Sequence, residues 1–199
     1  ETTGLVLETV EDITGTAEVA VKHGFQVNTH AIGDRANREV LDIYEGVWKE
    51  LGVDGKDLRW RIEHAQHIHP DDIPRFGELG VIASVQAVHG TSDGPWIPSR
   101  LGDERAKDTS QPWRTLFETG AIITNGTDVP VERIDPIASY YSSVTRRMNN
   151  GDAFYPEHIM TRQEALETYT INGAYSAFEE DIKGSLTPGK YADFIVLSK

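Results

Sequence analysis

The chain has 199 residues, enough to bury one substantial core, so a single domain with a small appendage is the expected organisation. Its formal net charge of −13 argues against a nucleic-acid partner, which would need clustered Lys and Arg. The absence of cysteine excludes disulfides, thiolate metal ligands and cysteine nucleophiles. No apolar run approaches the roughly 18 residues of a membrane helix, and Glu1-Thr2-Thr3-Gly4 carries no leader-like pattern. A soluble, cytoplasmic protein with no membrane partner is the default expectation.

Read in chain order, the sequence alternates strand and helix patterns. Ala17, Ala20 and Val21 recur at helical spacing over 14–23, and Gly24 is a stop signal. Phe25 to His30 reads as a strand. From Ala36 to Leu51 the stripe Val40, Ile43, Tyr44, Val47, Trp48 and Leu51 predicts an amphipathic helix packed on a sheet, closed by Gly52. Leu58 to His64 reads as the next strand. Pro70 suits the first turn of a helix running to Leu79 and Gly80. Val81 to Gln86 is a third strand. The Gly-, Ser-, Asp- and Pro-rich stretch from His89 to Asp103 predicts a long loop of the kind that forms lids and binding loops. A helix over 111–119 leads into a fourth strand, Ala121 to Asn125. Two more helices are expected over 135–147 and 161–178, the second opened by a capping box of Thr161 and Glu164.

Three of these strands end on polar residues suited to metal chemistry: Asn28-Thr29-His30-Ala31, Ile62-Glu63-His64-Ala65 and Asn125-Gly126-Thr127-Asp128. Consecutive βα units place strand C-terminal ends on one face of a parallel barrel, where active sites are built. Two imidazoles and a carboxylate suit zinc or a similar divalent ion. His30, His64 and Asp128 are therefore the candidate metal ligands. Glu63 and Asn28 are expected to point outward from the barrel. His89 and Asp93, in the long loop, are candidate substrate-binding residues. His67 and His69 read as surface residues near a helix start, and His23 and His158 as structural. Pro188-Gly189 marks a turn before a strand and no helix start follows, so the Gly-Lys ending is not a phosphate loop.

Four βα units make half of an eight-stranded barrel and leave both sheet edges unpaired. The expected fold class is thus α/β, the C-terminal half of a (β/α)8 barrel over 1–178, with 179–199 contributing a strand to a small β-sandwich. On this reading the chain is the C-terminal part of a larger protein. Its edges would be covered by the missing N-terminal half or by a second copy.

The segments Thr29-His30-Ala31-Ile32-Gly33-Asp34-Arg35-Ala36, Arg61-Ile62-Glu63-His64-Ala65-Gln66 and Gly126-Thr127-Asp128-Val129-Pro130-Val131, in this order, resemble the later barrel motifs of the amidohydrolase superfamily. Gln86, His89 to Asp93, Tyr169 to Asn172 and the ending from Gly184 to Leu197 extend the resemblance. The branch it most resembles is that of metal-dependent hydrolases similar to N-substituted formamide deformylases. The resemblance implies that His30, His64 and Asp128 end strands five, six and eight. The histidines would bind one metal of the one or two in the complete protein. Asp128 would touch the other and move protons. It also implies a His-x-His pair on the first strand and a ligand on the fourth, and neither is in this sequence; His67-Ile68-His69 does not replace them.

The expected function is a hydrolase of carbon–nitrogen, non-peptide bonds acting on a small amide-type substrate, with zinc as the first candidate ion. Asp128 would act as general base and then acid. The chain alone is expected to be weakly active or inactive. The alternatives are a non-catalytic half-barrel and a self-associating scaffold.

Overall fold

The computed structural model describes residues 4–197. Glu1, Thr2 and Thr3 of the leader reading lie outside the described residues, as do Ser198 and Lys199 of the C-terminal segment. The element order is α1 (Val10–His23), β1 (Asn28–Ala31), α2 (Asp34–Leu51), α3 (Gly55–Leu58), β2 (Arg61–His64), α4 (Ile73–Leu79), β3 (Ile82–Val85), α5 (Ala87–Ser92), α6 (Ile97–Leu101), α7 (Asp103–Thr109), α8 (Trp113–Glu118), β4 (Ile123–Asn125), α9 (Pro136–Thr145), α10 (Arg162–Tyr169) and α11 (Ile171–Ser176). The strands form one parallel sheet in the order β1-β2-β3-β4. This is the arrangement of four consecutive strands of a (β/α)8 barrel, with β1 and β4 as edges.

The predicted stripe of α2 is what seats it. Val40, Leu41, Ile43, Tyr44, Val47 and Trp48 are buried against the sheet, and Trp60, fully buried, packs 4.9 Å from Tyr44 and 5.4 Å from Trp48. The Tyr44 hydroxyl meets Thr29 Oγ1 at 2.7 Å and donates to the Arg61 carbonyl at 3.0 Å, binding β1 and β2 to the helix layer. Asn37 secures the loops above them. Its Nδ2 donates to the Ala31, Gly33 and His67 carbonyls, so the turns after β1 and β2 are held together. Both strand ends that carry candidate histidines are thus fixed from behind.

The long loop expected over 89–103 is instead helical. α5, α6 and α7 follow one another there, with Pro98 in the first turn of α6, a position that tolerates its missing N–H. Ile97 and Ala106 are fully buried and join Phe154 in a small separate core. That burial, made with residues some fifty positions away, stabilises helices that the local composition disguises. The helix expected over 161–178 is interrupted at Thr170, which separates α10 from α11. Its capping box forms as expected: Thr161 Oγ1 accepts from the Glu164 amide while Glu164 accepts from the Thr161 amide at 2.7 Å.

Among the described residues of 179–199 no strand is present. Residues 191–197 are irregular and exposed, because a strand needs a pairing partner and none of the described residues supplies one. The turn at Pro188-Gly189 is present, with the Lys190 amide donating to the Thr187 carbonyl. The start of this segment is anchored: Arg59 donates to both oxygens of Glu180 at 2.9 and 2.7 Å and lies over the Tyr175 ring at 3.7 Å. No described helix is long and apolar enough to cross a membrane.

Candidate active site

Parallel pairing sets the register of the site. His30 stands opposite Glu63, and Glu63 opposite Ser84. Thr29 points to α2, so Asn28 and His30, two residues apart, share the inner face. Arg61 and Glu63 share it likewise, since Ile62 between them is fully buried on the helix side. Strict alternation would then send His64 outward. Instead its backbone enters the left-handed region at φ 75°, followed by Ala65 at 42°. The kink turns the His64 ring back over the inner face, where its centroid lies 4.5 Å from that of His30, edge to face. Asp128 has the same unusual backbone, φ 58°, after β4. Such conformations cost about 1–3 kcal/mol each for non-glycine residues and cluster at functional sites.

The expectation that Glu63 and Asn28 point outward is therefore corrected. Asn28 Nδ2 donates to Glu63 Oε2 at 3.1 Å, and Gln86 Nε2 donates to Glu63 Oε1. Gln86 Oε1 in turn lies 2.7 Å from His64 Nδ1.

His89, on α5, reaches further into the site than its sequence position suggested. It is buried, its ring centroid is 6.0 Å from that of His64, and its Nε2 is 3.1 Å from Asp128 Oδ2. One ligand atom each from His64, His89 and Asp128 lie within 4.8 Å of one another. His30 joins this group through its contact with His64. Two imidazoles and a carboxylate at this spacing, with a third imidazole beside them, fit a divalent ion of the zinc type. Burial, and secondarily the neighbouring His64, hold the His30 imidazole below its ordinary value, which favours the neutral form that can ligate.

Around these residues lies a narrow crevice lined by His64, Gln66, Val85, Gln86, His89, Gln111 and Trp113. Asp93 sits beside it and accepts from Gln66 Nε2 at 3.3 Å; burial pushes its carboxyl up. Glu132 is the residue that sequence reasoning missed. The turn in which the Val131 and Glu132 amides donate to the Asp128 carbonyl brings its carboxylate to 3.6 Å from His89 Nδ1. Only its position four residues after Asp128 could have signalled it. His67 is not a surface residue. It is half-buried, 3.1 Å from Ser110 Oγ, and burial pushes its pKa down to about 4. His69 is more exposed and caps the turn at Pro70, accepting from the Asp71 amide at 3.2 Å.

With this geometry in view, a family model described as "Amidohydrolase family" matches residues 3–199. The chain belongs to the amidohydrolase family. It is 40% identical over 196 residues to "Protein LONG AFTER FAR-RED 3" of Arabidopsis thaliana, covering 98% of this chain and 33% of that protein. It is 27% identical to the "N-substituted formamide deformylase" of Arthrobacter pascens, covering 90% of this chain and 33% of that protein. A crystal structure of an uncharacterized metal-dependent hydrolase from Pyrococcus furiosus superposes with a TM-score of 0.83 at 33% identity, covering all of this chain and 38% of the other. This amidohydrolase chain therefore spans about a third of the length of the relatives it matches.

Proposed function

We propose that the protein is a metal-dependent hydrolase that cleaves a carbon–nitrogen bond other than a peptide bond in a small amide-type substrate. The observation that carries this reading is the convergence of His30, His64, His89 and Asp128 on one face of the sheet, two of them on left-handed backbone. Membership of the amidohydrolase family supports it.

His30, His64 and Asp128 would hold the ion. A second reading puts His89 in the coordination set, favoured by its closeness to His64 and Asp128. A bound divalent ion of this kind, zinc being the first candidate, makes water a stronger nucleophile and polarises a carbonyl. Asp128 takes a proton from the attacking water and passes it to the departing nitrogen, so that the C–N bond breaks to a carboxylate and an amine. His89 orients the Asp128 carboxylate through its 3.1 Å contact. On this reading His89 and Asp93 contact the substrate.

On this reading residues 1–178 belong to the barrel and 179–199 to a small composite domain, with Arg59–Glu180 as the tie between them. The remaining barrel strands come from sequence outside this chain, or from a second copy of it. Elemental mass spectrometry of the purified protein tests the proposal. Near-stoichiometric divalent metal that His30→Ala and His64→Ala each abolish supports it. A protein that takes up no zinc even when it is added would refute it.

A further inference from the structure

Glu63 takes no part in the chemistry above, yet its two oxygens are committed to Asn28 and Gln86 on the inner face. A carboxylate and a backbone carbonyl can only accept hydrogen bonds. The end of Gln86 that faces Glu63 Oε1 and the Ser84 carbonyl must therefore be its NH2 group. Its carbonyl end is then the one turned to His64 Nδ1, 2.7 Å away, and it can only accept from an N–H there.

We infer that Glu63 is a positioning residue that, through Gln86, fixes the His64 ring as its Nδ1–H tautomer and leaves the Nε2 lone pair facing the site. The relay spans two strands: Glu63 is one residue before His64, while Gln86 follows β3. It works only because the left-handed turn at His64 puts both side chains of β2 on the same face. Asn28, donating to Glu63 Oε2 at 3.1 Å, holds the carboxylate from the third side. A histidine ligand whose second nitrogen is hydrogen-bonded in this way is oriented before any ion arrives, and losing such a partner typically weakens metal binding by about 10–100-fold. The link to metal affinity rests on the function proposed above; the tautomer does not.

The test reads both quantities separately in the full chain. Long-range proton–nitrogen NMR of the metal-free protein, with the His64 signals assigned by their loss in His64→Ala, is expected to show the Nδ1–H tautomer. Glu63→Leu and Gln86→Leu should each give a mixture of tautomers, and zinc affinity by chelator competition should fall about 10–100-fold in both. An Nε2–H ring in the unsubstituted protein overturns the inference whether or not either variant folds. A tautomer unmoved by both substitutions overturns it as well. Zinc affinity unchanged in His64→Ala would instead remove the metal reading, and the ring spectra would still decide the relay.

Discussion

His89 Nε2 and Asp128 Oδ2 stand 3.1 Å apart, joining the helix after β3 to the turn after β4. The contact aims a carboxylate that the chain otherwise holds by a left-handed turn. Asp128→Asn keeps the shape and removes the basic oxygen. Turnover in the complete protein is expected to fall about 10²–10⁴-fold, with metal content changing much less. Steady-state kinetics beside elemental analysis check this; equal loss of metal would make Asp128 mainly a ligand.

Removing the metal should cost stability. An ion that binds only the folded chain adds about 2.7 kcal/mol when its free concentration is a hundred times its dissociation constant. Melting in zinc is therefore expected at a higher temperature than in chelator. The difference should vanish in His64→Ala. Identical melting curves for the unsubstituted protein would mean no ion contributes.

The pH dependence of folding follows from two half-buried histidines. Burial pushes His67 and His158 down to about 4 from an ordinary 6.5. Between those values the unfolded chain takes up protons that the folded chain refuses, so stability falls as pH drops from 6.5 toward 4. Above 6.5 neither group contributes. Melting temperatures across this window should slope downward with acidity, and His67→Gln with His158→Gln should flatten the curve.

Two glycines near Trp48 should respond in opposite directions. A Cβ on Gly55 would run into the Trp48 ring, whereas Gly46 on the exposed face of α2 has open space. Gly55→Ala is expected to lose about 1–3 kcal/mol by overpacking. Gly46→Ala should gain about 0.5–1 kcal/mol, since alanine loses less backbone freedom in a helix. Denaturation midpoints measured in parallel decide both.

Much of the fold was legible because it is written in local periodicity. The α2 stripe, the glycine stops at 24, 52 and 80, the capping box at Thr161 and the four strands all appear close to where the patterns put them. The helices α5 to α7 were not legible, since α6 and α7 are buried with Phe154 far along the chain and α5 packs on α9. The C-terminal strand pattern is real in composition, but a strand exists only with a partner.

The site divides in the same way. The sequence alone placed His30, His64 and Asp128 at or just after the ends of three of the four strands, because strand periodicity and chain order are local properties. The tertiary structure decided which side chains share the inner face. The left-handed backbone at His64 overrides alternation and places Glu63 beside it, and the packing of α5 carries His89 to Asp128. Both depend on contacts between segments distant in the chain, which no window of sequence contains.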